Sequence, residues 1–160
     1  MGKTTVIEIL ATRRYAIVPE AARIIIAEEK IKGSDILPTG NIKMFQQLVV
    51  ERQVDLEGKI SGQIIFCDRS IIDGYAYCML ANVPAPEQII NLGRDRYEKV
   101  FLLSPLDTYK NDDTRIEHSR VAEEIHKKII EAYKEFGYIL IDVPVLPPEE
   151  RVDYILSKLP

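Results

Sequence analysis

Apolar residues recur along this chain with two alternating periods. Over residues 3–12, Val6, Ile9 and Leu10 fall on one side, which predicts a helix. "RYAIV" predicts a short strand running to Pro19, and "PEAARIIIAEE" a helix with Pro19 near its start. "KGSDILPTGN" reads as a loop from its Gly, Pro, Asp and Asn content. In "IKMFQQLVVERQVDLEGKI", Ile42, Phe45, Leu48, Val49 and Leu56 keep helical spacing. Gly62 then breaks the chain before "QIIFC", an all-apolar run typical of a strand covered on both faces.

The alternation continues. "DRSIIDGYAYCMLAN" predicts a helix, and "PAPEQIINLGRDRY" a second. "KVFLL" is another buried strand. The Thr-x-x-Glu spacing of Thr114 and Glu117 has the form of a capping box opening a long helix. Val121, Ile125, Ile129, Ala132 and Phe136 form that helix's apolar stripe, and Gly137 stands where a C-terminal cap belongs. "YILIDV" predicts the last strand and "PPEERVDYILSKL" the last helix. Strands alternating with helices predict an α/β fold, a parallel sheet with helices on both faces, in one domain over residues 1–160.

Composition narrows the function. A net charge of −4 provides no basic stripe for nucleic acid or for an anionic membrane. No apolar run approaches the length of a membrane span, and Lys3 and Glu8 interrupt any leader-like stretch, so a cytoplasmic protein is expected. Cys67 and Cys78 sit in apolar runs without metal-ligand spacing and read as buried free thiols.

Candidate chemistry begins at "GKTT". Gly2, Lys3, Thr4 and Thr5 match the second half of a phosphate-binding loop and open a helix whose free N–H groups bind phosphate oxygens. Lys3 would then reach terminal phosphates and Thr4 would give an oxygen to Mg²⁺; the competing reading is an ordinary capped helix start. In "IIFCDRSIIDG", a strand delivers Asp68 and Arg69 to its C-terminal end, the ligand edge of a parallel sheet. A carboxylate there holds metal-bound water or takes a hydroxyl proton, and Arg69 neutralises phosphoryl charge. The competing reading is a surface salt bridge at a helix start, which Asp68 and Asp73 could both serve. Glu20 and Arg23 in "PEAAR" share one helix face, near the same edge; Glu20 also suits the helix dipole alone. Arg115 and Arg120 in "DDTRIEHSR" could close over a triphosphate as a lid, or remain solvated on an exposed helix. Being five residues apart, they do not share a face of a regular helix. His118 and His126 have nothing at ligand spacing, and Tyr75, Tyr77 and Tyr97 read as core or rim aromatics.

In their order and spacing, GKTT, PEAAR, "FQQLVVERQ", CDRSIIDGYAY and the T-R-I-E segment resemble one group over essentially the whole chain. This is the AAA-like ATPase domain family that includes NadR-type, nicotinamide riboside kinase-like proteins, among the P-loop kinases. The resemblance implies a three-layer α/β fold binding ATP and Mg²⁺ at Lys3, Thr4 and Asp68. It implies nucleotide contacts at Gly2, Thr5 and Arg120, and catalytic roles for Asp68, Arg69 and Arg115. It implies a nucleoside-like or riboside-like acceptor near Glu20, Arg23, Gln47 and Asp73. Against that family, the chain lacks a first strand and the front of the phosphate loop. The expected place of that strand is between 63–67 and 99–103, which makes the domain N-terminally incomplete and the full product longer. The alternatives are a nucleotide-binding regulatory module without kinase activity, or an inactive fragment.

Overall fold

The computed structural model describes residues 2–104 and 119–160 in full and the backbone of 113–118. The order of elements is α1 (Lys3–Thr12), β1 (Ala16–Val18), α2 (Ala21–Lys32), α3 (Ile42–Lys59), β2 (Ile65–Cys67), α4 (Ile71–Ala81), α5 (Glu87–Leu92), β3 (Val100–Leu103), α6 (Asp113–Glu135), β4 (Leu140–Val143) and α7 (Pro148–Ser157). Each predicted segment is present, usually shorter by one to three residues at its ends. Gly33 and Gly137 end α2 and α6 in the left-handed conformation that glycine adopts without a Cβ penalty. The long helix α6 runs over Asp113–Glu135, and the side chains of the expected Thr114–Glu117 capping box lie outside the described residues. A capping box does occur, at Ser70 and Asp73 on α4, where aspartate takes the place usually held by Glu or Gln.

In place of one continuous sheet, the strands pair as two parallel ribbons, β1 with β2 and β3 with β4, and β2 and β3 stay unpaired across the place expected for the absent strand. Helices nonetheless lie on both sides. Phe66, Ile17, Phe101 and Leu103 pack against the cluster of Val6, Leu10, Val143, Val152 and Ile155, where α1 and α7 meet. Val100 and Leu140 pack the other way, against a core of Val50, Ile72, Ile89, Ala132 and Phe136 from α3, α4, α5 and α6 with its C-terminal Phe136. This two-sided division follows from the strand period of two.

Between the ribbons lies a cavity of about 740 Å³, touched by every residue of β2 and β3. Consecutive strand side chains point to opposite faces, so a cavity that meets all of them runs along the strand edges. Leu10 and Ile155 close it on one side, Ile129 and Tyr133 on the other. It therefore occupies the strand layer itself, which is why the two ribbons remain separate.

Pairing geometry identifies the edge groups. Asp68 donates its N–H to the Val18 carbonyl at 2.9 Å. In a parallel pair, alternate residues turn both backbone groups to the same neighbour, so Phe66 and Asp68 face β1 and Ile65 and Cys67 face the cavity. The Ile65 and Cys67 amides should exchange with deuterium at least about tenfold faster than those of Phe66 and Asp68, as read by NMR. Equal protection of all four would mean that the second edge of β2 is paired.

Candidate functional site

Three chain segments converge at the C-terminal ends of β1 and β2. The first is the head of α1. Gly2 is its N-cap, no side chain caps the helix, and its first turn carries no acid. Its leading N–H groups and positive dipole end are thus left uncompensated. Thr4 is exposed and Thr5 half-buried. The second segment follows β1: Glu20 is the N-cap residue of α2, but its carboxylate makes no cap bond and turns to the cations around it. The third follows β2. Arg69 sits at φ +76, in the left-handed region that costs a non-glycine residue about 1 kcal/mol or more. That turn separates β2 from α4 and sends Asp68 and Arg69 into the same cleft.

The charges interlock. The Lys3 ammonium is hydrogen-bonded to Asp68 and lies 3.5 Å from Glu20. Glu20 also meets the Nε of Arg23 at 3.0 Å and the Nε of Arg69 at 3.3 Å. Arg69 Nε is close enough to be attracted but misaligned for a hydrogen bond, so this buried donor is unfilled. The Arg69 guanidinium stands 3.9 Å from Asp73. Burial works against the Arg69 charge, but Asp73, Tyr77, Glu20 and Asp68 outweigh it and hold the group firmly cationic. Burial pushes the Asp73 carboxyl above its ordinary range, with Arg69 pulling the other way.

Asp73 is also tied into the fold. Its carboxylate accepts from the Ser70 N–H at 2.9 Å, and the Ser70 hydroxyl shares a hydrogen bond of 2.7 Å with Tyr133 of α6. Burial raises the Tyr133 phenol well above its usual value, so it stays a neutral bonding partner. The floor of the cleft is therefore fixed from α4 and α6 together.

Of the residues singled out from sequence, the structure brings together Lys3, Glu20, Arg23, Asp68, Arg69 and Asp73, with Gly2 and Thr4 at the head of the same helix. Gln47 does not join them, being bonded to Glu51 at 2.8 Å and to Gln88 at 3.4 Å. Arg120 is exposed on α6, and the Arg115 side chain lies outside the described residues. No group of three or more His, Cys, Asp or Glu suited to a metal ion occurs among the described residues. Sequence reading did not single out Ser70 or Tyr133, whose pairing spans 63 residues. It also did not mark Arg151, 5% exposed on the inner face of α7 and beside Gly2.

A family model described as "AAA domain" matches residues 1–151. The chain belongs to this family, and so to the P-loop NTPase domains, a nucleotide-binding class. No curated protein and no solved structure matches it. Among the described residues no helix is long and apolar enough to cross a membrane.

The cleft carries two measurable consequences. Glu20 is the carboxylate shared by three cations, so Glu20→Gln should lower stability by about 1–2 kcal/mol in urea denaturation. An unchanged midpoint would mean that the cations find other partners. Separately, burial and then Glu57 push the Cys67 thiol up to about 12, and burial pushes Cys78 up to about 11. Both should stay protonated at neutral pH and react with a disulfide-exchange reagent only after unfolding. A thiol titrating rapidly in the native protein would contradict that environment.

Proposed function

We propose that this domain binds ATP at the head of α1 and transfers its terminal phosphoryl group to a small nucleoside-like or riboside-like acceptor. The observation that carries the reading is the position of Lys3. It stands at the start of an uncapped helix and is held by carboxylates from the ends of two parallel strands. That is a cation poised at an anion site, with acid groups beside it.

In this reading the triphosphate replaces carboxylate as the partner of Lys3, and the N–H groups of Gly2 to Thr5 receive phosphate oxygens. The donor set suits Mg²⁺, which keeps most of its waters and takes one or two protein oxygens: Thr4 offers an exposed hydroxyl and Asp68 a carboxylate. The bound Mg²⁺ would neutralise charge on the phosphate oxygens. Asp68, released from Lys3, would help hold the Mg²⁺ or would accept the acceptor's hydroxyl proton. The acceptor oxygen bonds to the γ-phosphorus as the bond to the bridging oxygen breaks, and ADP leaves. Arg69 offers its unfilled Nε to the transferring group. Glu20, Arg23 and Asp73 supply the acceptor side, and Arg115 and Arg120 the lid.

The cavity belongs to the same reading. A fifth parallel strand seated between β2 and β3 would join the ribbons into one sheet, in a three-layer fold, and its C-terminal end would emerge beside Gly2. Further N–H donors from a loop at that point would complete the phosphate cradle. Calorimetry should find ATP·Mg²⁺ bound weakly by the 160-residue chain, and more tightly when an apolar strand and glycine-rich loop precede Gly2. Lys3→Ala should weaken binding about tenfold or more. Asp68→Asn should keep much of the binding and lower transfer by about a hundredfold. Screening nucleosides and ribosides as acceptors tests the transfer. Binding without transfer to any acceptor or to water would instead favour a regulatory nucleotide-binding module. Absence of binding in both forms overturns the reading.

A further inference from the structure

Arg151 presents a separate problem. Its side chain makes no hydrogen bond or ion pair with any described residue, its Nε is fully shielded, and the residue is 5% exposed. Shielding part of a guanidinium without a carboxylate is costly, because the Nε loses its hydration and no described group replaces it. The nearest acids in sequence do not help: the adjacent Glu150 is exposed and makes no ion pair with Arg151. Glu149 and Asp153 turn outward to Arg13, at 2.6 and 2.7 Å. Arg151 lies instead on the inner face of α7 with Val152 and Ile155, which pack on α1.

The guanidinium is aimed at the head of α1. Its terminal nitrogen would stand 3.2 Å from a Cβ placed on Gly2, so glycine there leaves room for close approach. Two positive helix ends lie near it: α1 starts at Lys3, and α7 starts at Pro148, three residues ahead of Arg151. Neither N-terminus is capped by a side chain, and the acids in the first turn of α7 include the one bound to Arg13. A cation near the N-terminus of its own helix adds to the positive end instead of offsetting it. What this arrangement lacks is an anion.

We infer that Arg151 is a further phosphate ligand of this site, donating to oxygens of a polyphosphate chain bound at the head of α1. The inference rests on the nucleotide-binding reading and extends it to the other ribbon. Lys3 and its partners gather at the ends of β1 and β2, whereas Arg151 is carried by the helix that follows β4. A phosphate chain between them is held from both sides of the cavity, with Arg151 giving the planar, multidentate contact to which guanidinium is suited.

The test is calorimetry of the 160-residue protein with inorganic phosphate, inorganic tripolyphosphate and ATP, for the wild type, Arg151→Met and Arg151→Lys, alongside ligand-free melting temperatures. Arg151→Met should weaken tripolyphosphate and ATP by the same factor, at least about tenfold. Arg151→Lys should recover part of it, and single phosphate should bind far more weakly than either chain. The ligand-free Arg151→Met protein should melt no lower than wild type, since it loses an unpaired buried charge and keeps an apolar stem. If wild type binds both chains and Arg151→Met binds them equally well, the inference fails and the nucleotide reading stands. A lowered melting temperature with unchanged affinity makes Arg151 a structural brace and also overturns it. Should Arg151→Met not fold, Arg151→Lys decides, with wild-type affinity counting against the inference. Wild type that binds neither tripolyphosphate nor ATP overturns the inference, and the nucleotide reading is then decided by the form carrying the added strand and loop.

Discussion

Peptide groups that leave water must find other partners, and β2 and β3 find them on one edge each. β2 pairs with β1 and β3 with β4, while their second edges face a common cavity. Leaving a buried N–H or C=O unpaired costs about 1–3 kcal/mol, so this boundary weighs on the whole arrangement. On either side of the strand layer lies a hydrophobic cluster, one where α1 meets α7 and one where α4 meets α6, with strand side chains divided between them by their alternation. The boundary explains the location of the charged cleft. The polar ends of β1 and β2 and the head of α1 gather where the cavity opens, and Lys3, Arg69 and Asp73 all border it.

Local order was legible where one short-range rule decided the outcome. Helical spacing located α1, α3 and α6, and all-apolar runs located β2 and β3, because a helix face and a two-sided strand each impose a period on their own residues. Gly137 was readable as a cap because only its backbone conformation matters there. Sheet assembly was harder. Short parallel strands carry no signal in their own side chains for which edge is filled, so the break between β2 and β3 was legible only through the resemblance, which left a strand absent there.

The cleft was legible in a similar, partial way. Lys3, Glu20 and Asp68 each end a strand or begin a helix, and a parallel arrangement brings such positions to one edge, which the Lys3–Asp68 bond shows. Gln47 followed its helix elsewhere, to Gln88. Ser70 and Tyr133 escaped notice because a hydroxyl pair 63 residues apart leaves no local pattern. Arg151 did leave one. It sits four residues before Ile155, so a regular helix turns it toward the same apolar face. In "EERVDYI" the surrounding charges made it look like one more solvated side chain.

Counting charge across the cleft connects these pieces. Lys3, Arg23 and Arg69 face Glu20, Asp68 and Asp73, three cations against three acids. Such a set is close to neutral on its own, less one acid to the extent that Asp73 keeps its proton. A polyanion entering it must therefore compete with the carboxylates for Lys3. Two things shift that competition. A divalent cation accompanying the phosphates offsets their charge and offers Asp68 a new partner, so the carboxylate is not stranded when Lys3 turns away. Among the described residues Arg151 has no acid to displace, so in the proposed reading its contribution to an anion is not reduced by a lost salt bridge. On that reading the balanced half of the site serves the ligand-free fold, and the unbalanced residue would supply the net attraction for phosphate.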